Sequence, residues 1–270
     1  MEIVMEMLSF TFMQRALIVG LLVSLCASLL GVSLVLKRYA MIGTGLSHVG
    51  FAAMVSATAL QLSPLVVSLP IVVLSAFLLL LLNENNKIKG DSAIALVSAA
   101  SLAIGVIIVD RTTGLNTHVC SAMFGSILAI TRADLQVSVV LSIVVLVLFV
   151  LFYKQLFAVT YDEDFAKATG TKAGIYKALL AVLTAVTVVL GMRLMGALLI
   201  ASLIVFPAMT AMRICKSFLS VVIVSAIIAL ICFFVGIVLS FHYDLPTGAS
   251  VVGVNLVLFV IFSIIGLVKR

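Results

Sequence analysis

Charge is scarce in this sequence. Only 10% of its 270 residues are Asp, Glu, Lys or Arg, while 64% are apolar; a soluble domain runs at about a quarter charged and about half apolar. That shortage excludes an ordinary water-soluble enzyme. The four cysteines, Cys26, Cys120, Cys215 and Cys232, have no CxxC or CxxxC spacing, and three lie inside apolar runs, where a thiol behaves as a small hydrophobe. Neither a disulfide framework nor a structural zinc site is expected. No GxxxxGK[ST] loop occurs, since Gly43-Thr44-Gly45 and the stretch from Gly170 to Lys177 have the wrong spacing, so the chain does not hydrolyse ATP through a P-loop. HExxH and GxSxG are absent too. The ten carboxylates fall at segment ends or in loops, and Ser47, adjoining His48, points to a different helix face, so the groups of an intramembrane protease are missing. The chain is not expected to be an enzyme. Glu2 and Glu6 stand where a signal peptide would carry basic residues, and no small-residue cleavage site follows, so no cleavable signal is expected.

What is present is hydrocarbon. A mean hydropathy of +1.41 belongs to a polytopic, all-α membrane bundle, a single membrane domain over 1–270. Uncharged runs predict nine spans: Ala16 to Leu36, Leu46 to Leu60, Leu65 to Leu82, Ser92 to Val109, Leu135 to Tyr153, Ala178 to Met192, Leu194 to Met212, Ser217 to Ser240 and Ala249 to Val268. The 45 residues from Tyr39 to Asn83 carry no charge, and Pro64, flanked by Gln61 and Ser63, divides them into two. The count becomes eight if the segments around Arg193 form one broken helix. Val119 to Ile130 is apolar but too short to cross and reads as a re-entrant or interfacial helix. Residues 1–14 read as a short amphipathic segment on the outer surface. Nine spans place twelve basic residues on one side and four on the other, which puts the N-terminus outside and the C-terminus in the cytoplasm. The net charge of +6 sits at span ends, a pattern of membrane lipid contact rather than of nucleic-acid binding.

His48 is the histidine that interrupts an apolar run, and an ionisable group at membrane depth is a functional candidate by default. Counted as helix from Arg38, it lies about 15 Å in, near the midplane. Thr44 shares its face at i, i+4, Ser47 adjoins it, and Gly43, Gly45 and Gly50 leave room around it. A neutral imidazole suits zinc and other borderline metals; the same histidine also fits a helix-packing role, bonded to a carbonyl. His118, two residues before Cys120, and His242 with Asp244 are candidate outer-mouth contacts, with solvated loops as the alternative. In the polar stretch 154–177, Asp162, Glu163 and Asp164 open a short helix whose Phe165 and Ala166 form an apolar patch, with Lys167 following and Gly170 at its end. A docked partner or the membrane surface explains such a patch.

Five stretches, in order, resemble the membrane permeases of zinc, manganese and iron ABC importers. They are Met41 to Ala52, with its Leu46-Ser47-His48; Phe124 to Ile130; Asp162 to Gly170; Gly196 to Ile200 running on to Phe206 to Ala211; and Pro246 to Ala249. The resemblance implies a permease domain of eight or nine spans in a bacterial plasma membrane. It implies a second permease copy, cytoplasmic ATPase subunits that use the ATP, and an extracytoplasmic metal-binding protein. It places His48 on the path of a transported zinc or manganese ion, with no tightly bound cofactor. Residues Asp162 to Gly170 become a cytoplasmic coupling helix, and Gly191, Gly196 and Pro207 become gating positions. The family's acidic residue in the second span is here Thr44, a neutral hydroxyl, which tilts the cargo towards zinc. An ion-gradient-driven carrier is the rival class, lacking here the buried carboxylates that coupling needs; a permease for a metal chelate such as a siderophore is the neighbouring one.

Overall fold

The computed structural model describes residues 7, 9–84, 90–112 and 132–268, and those residues form helices joined by short turns. We label the helices α1 (Thr11–Leu36), α2 (Ile42–Ala59), α3 (Pro64–Glu84), α4 (Gly90–Arg111), α5 (Arg132–Leu151), α6 (Tyr153–Tyr161), α7 (Glu163–Ala168), α8 (Ala173–Met195), α9 (Ala197–Ile214), α10 (Phe218–Tyr243) and α11 (Thr247–Val268). Seven of them, α1, α3, α4, α8, α9, α10 and α11, are long and apolar enough to cross a membrane. The pair α5–α6, bent by 69° at Phe152, makes an eighth if it counts as one span. Helix α2 reaches 18 residues, but its Gly, Ser, Thr and His residues leave it less apolar than those seven.

Several boundaries move from those expected. The chain is not helical from Arg38: that residue takes a left-handed φ of 62° and α2 starts at Ile42. His48 is therefore six residues into its helix, about 9 Å along it rather than 15. The span expected from Ala178 to Met192 is longer than its uncharged run, because α8 already begins at Ala173 and runs for 23 residues. It ends at Gly196, where α9 begins, and each of the two is long and apolar enough to cross by itself. Residues 11–14 belong to α1 rather than to a surface segment. Before them Met7 is fully buried, and the Phe10 ring lies 5.6 Å from Phe12 and 6.3 Å from Phe241 near the end of α10. The remaining residues of that segment, 1–6 and 8, and the short helix expected from Val119 to Ile130 lie outside the described residues.

Helix α1 is the hub, packed by α9, α10, α8 and α5. Two-thirds of its apolar stretch is buried, against 17% for α11 at the edge. Small residues make this possible, because helices in lipid associate through close packing rather than through a hydrophobic drive. Gly20, Ser24, Ala27, Ser28 and Gly31 recur along α1 at helical spacing and are all buried. The Ser28 carbonyl accepts from the Ser225 hydroxyl of α10 at 3.4 Å, and the Cys26 thiol donates to the Ser142 carbonyl of α5 at 3.5 Å. At Gly31 a Cβ would run into the backbone carbonyl of Ile204 in α9, which cannot rotate away as a side chain could. Gly31→Ala is thus expected to cost about 1–3 kcal/mol by overpacking, read as a lower unfolding temperature in detergent. Gly253→Ala, at a site with nothing within 4 Å, should leave that temperature unchanged.

Candidate functional site

Helix α2 is held among α3, α4, α8 and α9, and its polar face meets α9 across an open pocket of about 370 Å³. Thr44, Ser47 and His48 line one wall; Ala197, Leu198, Ala201, Ser202, Val205 and Phe206 of α9 form the other, with Val252 of α11. Two stretches about 150 positions apart in the chain, each singled out in the sequence, thereby face each other. The contributions of the polar residues differ. The Ser47 hydroxyl donates to the Thr44 carbonyl at 2.8 Å and is buried, so it satisfies its own helix. His48 is half-buried, and its Nδ1 lies 2.6 Å from the Ser98 hydroxyl of α4. In the tautomer that donates from Nδ1, the Nε2 lone pair is left to bind a metal, and the hydrogen bond fixes the ring's orientation. Among the described residues no group of three or more His, Cys, Asp or Glu side chains could hold a metal ion. One imidazole beside hydroxyls makes an open site that can receive an ion and release it, unlike a closed four-ligand cage.

The gating candidates do not line this pocket; Gly196 and Pro207 each adjoin a lining residue of its α9 wall, Ala197 and Phe206. Gly196 has φ 88° and ψ 159°; its N–H donates to the Met192 carbonyl at 2.9 Å and its own carbonyl accepts from the Ile200 N–H at 3.3 Å. The same residue ends α8 and begins α9. Just across the turn Ile200 packs against Gly191, where a Cβ would collide with its side chain. Pro207 lies inside α9, next to the pocket-lining Phe206.

The outer-mouth candidates lie elsewhere. Asp244 closes α10 in a left-handed conformation and the His242 ring packs edge-on against Tyr243 at 4.7 Å; neither lines the His48 pocket. His118 lies outside the described residues.

At the basic end of the bundle, α7 is built as a self-contained turn. Asp162 accepts from the Phe165 N–H at 2.9 Å as its N-cap. At the other end Gly170, at φ 84°, donates to the Lys167 carbonyl at 3.0 Å, and Thr171 donates to that of Ala166 at 2.9 Å. That pair of bonds is a Schellman closure. The expected apolar patch divides: Ala166 is fully buried against Val159 and Ala173, while Phe165 is 64% exposed. Glu163 turns inward to Lys177 at 2.7 Å, Lys167 at 2.9 Å and Lys37 at 3.8 Å. Burial alone would raise the Glu163 carboxyl, but hydrogen bonds from Lys177 and Lys167 and the charges of Lys177 and Lys37 outweigh it and hold the group at about 2. The stabilisation from these contacts is therefore complete above the ordinary carboxyl range and is lost only as pH falls towards 2. Nothing in the sequence marks Ser98, Lys37 or Lys177 as partners; only the packing of distant segments brings them to His48 and Glu163.

A bundle of membrane helices enclosing a histidine-walled pocket, with a capped helix exposed at its basic end, has the form of a transport protein's membrane subunit. A model of the ABC 3 transport family matches residues 9–266. The chain is 28% identical to the manganese transport system membrane protein MntC of Halalkalibacterium halodurans, over 94% of this chain and 87% of that one. It is 29% identical to the high-affinity zinc uptake system membrane protein ZnuB of Haemophilus influenzae, over 93% and 97%. Among solved structures, PsaBC from Streptococcus pneumoniae in complex with Fab superposes with a TM-score of 0.86 at 27% identity, over 97% of this chain and 94% of that one. The chain belongs to the ABC 3 transport family, the membrane permeases of metal ABC importers, and is a multi-pass protein of the bacterial plasma membrane.

Proposed function

We propose that this chain forms the translocation pathway of an ATP-driven importer of a divalent transition metal, with zinc favoured over manganese. The observation that carries this is the convergence of the His48 imidazole, anchored by Ser98, with the α9 wall that begins at Ala197. The ion enters from an extracytoplasmic binding protein, pauses at His48 with Thr44 beside it, and leaves when the α9 wall moves. ATPase subunits supply the work from the cytoplasm through α7, and a second permease copy completes the pathway. Counting α2 and the bent α5–α6 pair gives nine spans, with the N-terminus outside and α7 in the cytoplasm, the arrangement favoured by the excess of Lys and Arg on that side.

Relatives carry the names of both manganese and zinc systems, so the preference rests on this chain's own donors. Among the described residues, those lining the pocket include no carboxylate. Imidazole suits zinc, whereas manganese prefers hard carboxylate and carbonyl oxygen. The test is uptake of radioactive zinc and manganese into proteoliposomes holding this permease with the ATPase and binding protein of its own system. ATP-dependent zinc accumulation that outruns manganese is expected. Accumulation driven by a proton or sodium gradient without ATP would overturn the proposal in favour of a secondary carrier.

A further inference from the structure

Glu163 is where three lysines from separate segments meet. Lys37 follows the last residue of α1, Lys177 lies near the start of α8, and Lys167 is on α7 itself. The side chains of Lys37 and Lys177 are each 10% exposed and that of Glu163 is 30% exposed. Ammonium groups so far withdrawn from water are costly to leave without their carboxylate, so the contact resists being broken. Beneath them Ala166 is packed without exposure between Val159 of α6 and Ala173 of α8. Helix α7 therefore has little freedom to slide over α8 while this contact holds.

Both anchoring elements reach the pocket wall. Helix α8 runs unbroken from Ala173 to Met195 and hands over at Gly196 to α9, whose first two residues, Ala197 and Leu198, already line the His48 pocket. Helix α1 leads back from Lys37 to Gly31, which abuts the Ile204 carbonyl of the same α9. Phe165 meanwhile stands on the exposed side of α7.

We propose that Glu163 is a positioning residue that ties α7 to α1 and α8, so that displacement of α7 by the ATPase is carried to the α9 wall. This rests on the docking role given to α7 above. The six-residue helix thus divides its work: Phe165 receives the partner, and Glu163 passes the movement inward.

The experiment compares variants of the full transporter, purified with its ATPase and binding protein and reconstituted with zinc as cargo. Two quantities are read: ATPase retained on purification, and zinc carried per ATP hydrolysed. Phe165→Asp is expected to lose the ATPase. Glu163→Gln is expected to retain it and to carry about ten-fold less zinc per ATP, the effect of roughly 1.4 kcal/mol of lost coupling. Lys177→Gln, altered on the other element, should show the same fall, and Glu163→Asp, which keeps the charge, should recover part of it. A Glu163→Gln complex with an unchanged zinc-to-ATP ratio would overturn the transmission role. Loss of the ATPase in Glu163→Gln would also overturn it, making Glu163 a docking residue. Retention of the ATPase in Phe165→Asp would sink the docking role first, and this proposal with it.

Discussion

In His48→Ala, ATP-dependent zinc uptake is expected to fall by about 100-fold or more. Outer partners of a metal-binding histidine are themselves worth about 10–100-fold, and here the ligand itself is removed. The neighbouring groups do not replace it: Ser47 is bonded to its own helix at the Thr44 carbonyl, and the α9 wall opposite is apolar apart from Ser202, which donates to the Leu199 carbonyl at 2.8 Å. Thr44→Asp provides the contrasting result. It places a hard anionic oxygen one turn before His48 on the same face, and should shift preference towards manganese without abolishing transport. Uptake at the wild-type rate in His48→Ala would leave the family assignment standing and move the pathway off α2. Absent uptake in wild type, rescued by Thr44→Asp, would mean that the natural chain has changed or lost its cargo.

The membrane architecture was legible because hydropathy is a property of composition, and Pro64 marked its division by standing at the first position of α3. Arg38 misled the helix start, since a non-glycine residue at φ 62° leaves no compositional trace. His48 was visible as an ionisable residue in an apolar run, but Ser98 was not: serines are scattered along most of the long helices, and only the packing of α2 on α4 selects this one. The same holds for Glu163. Its place among three acids marked only the opening of a short helix, whereas the structure turns it to lysines from three places in the chain. Likewise Phe165 and Ala166, adjacent in sequence, are turned about 100° apart by the helix, so that one is buried and only the other remains for a partner. What the sequence carried was the chemistry at single positions; what it lacked was the pairing, which depends on helices far apart in order.

Gly196→Ala is expected to disable transport more than it destabilises the bundle. With φ 88° and ψ 159°, Gly196 occupies backbone space that essentially only glycine enters. A methyl group there costs about 1–3 kcal/mol if the turn is kept, and the chain can relieve that strain by rotating the turn. Rotation breaks both hydrogen bonds that let this one residue end α8 and start α9, to Met192 and from Ile200. It also lifts Ile200 from Gly191 and carries Ala197, Leu198 and Ala201 away from their places opposite His48. Zinc uptake should therefore fall by about ten-fold or more, since roughly 1.4 kcal/mol suffices for each factor of ten, while the purified variant keeps a cooperative unfolding transition. Gly174→Ala, in the first turn of α8 with nothing within 4 Å of its Cβ, is the control and should transport normally. If Gly196→Ala also transports normally, the moving wall is not set by this turn. Pro207, whose missing N–H interrupts the hydrogen-bond ladder inside α9, would then become the place to look for the hinge.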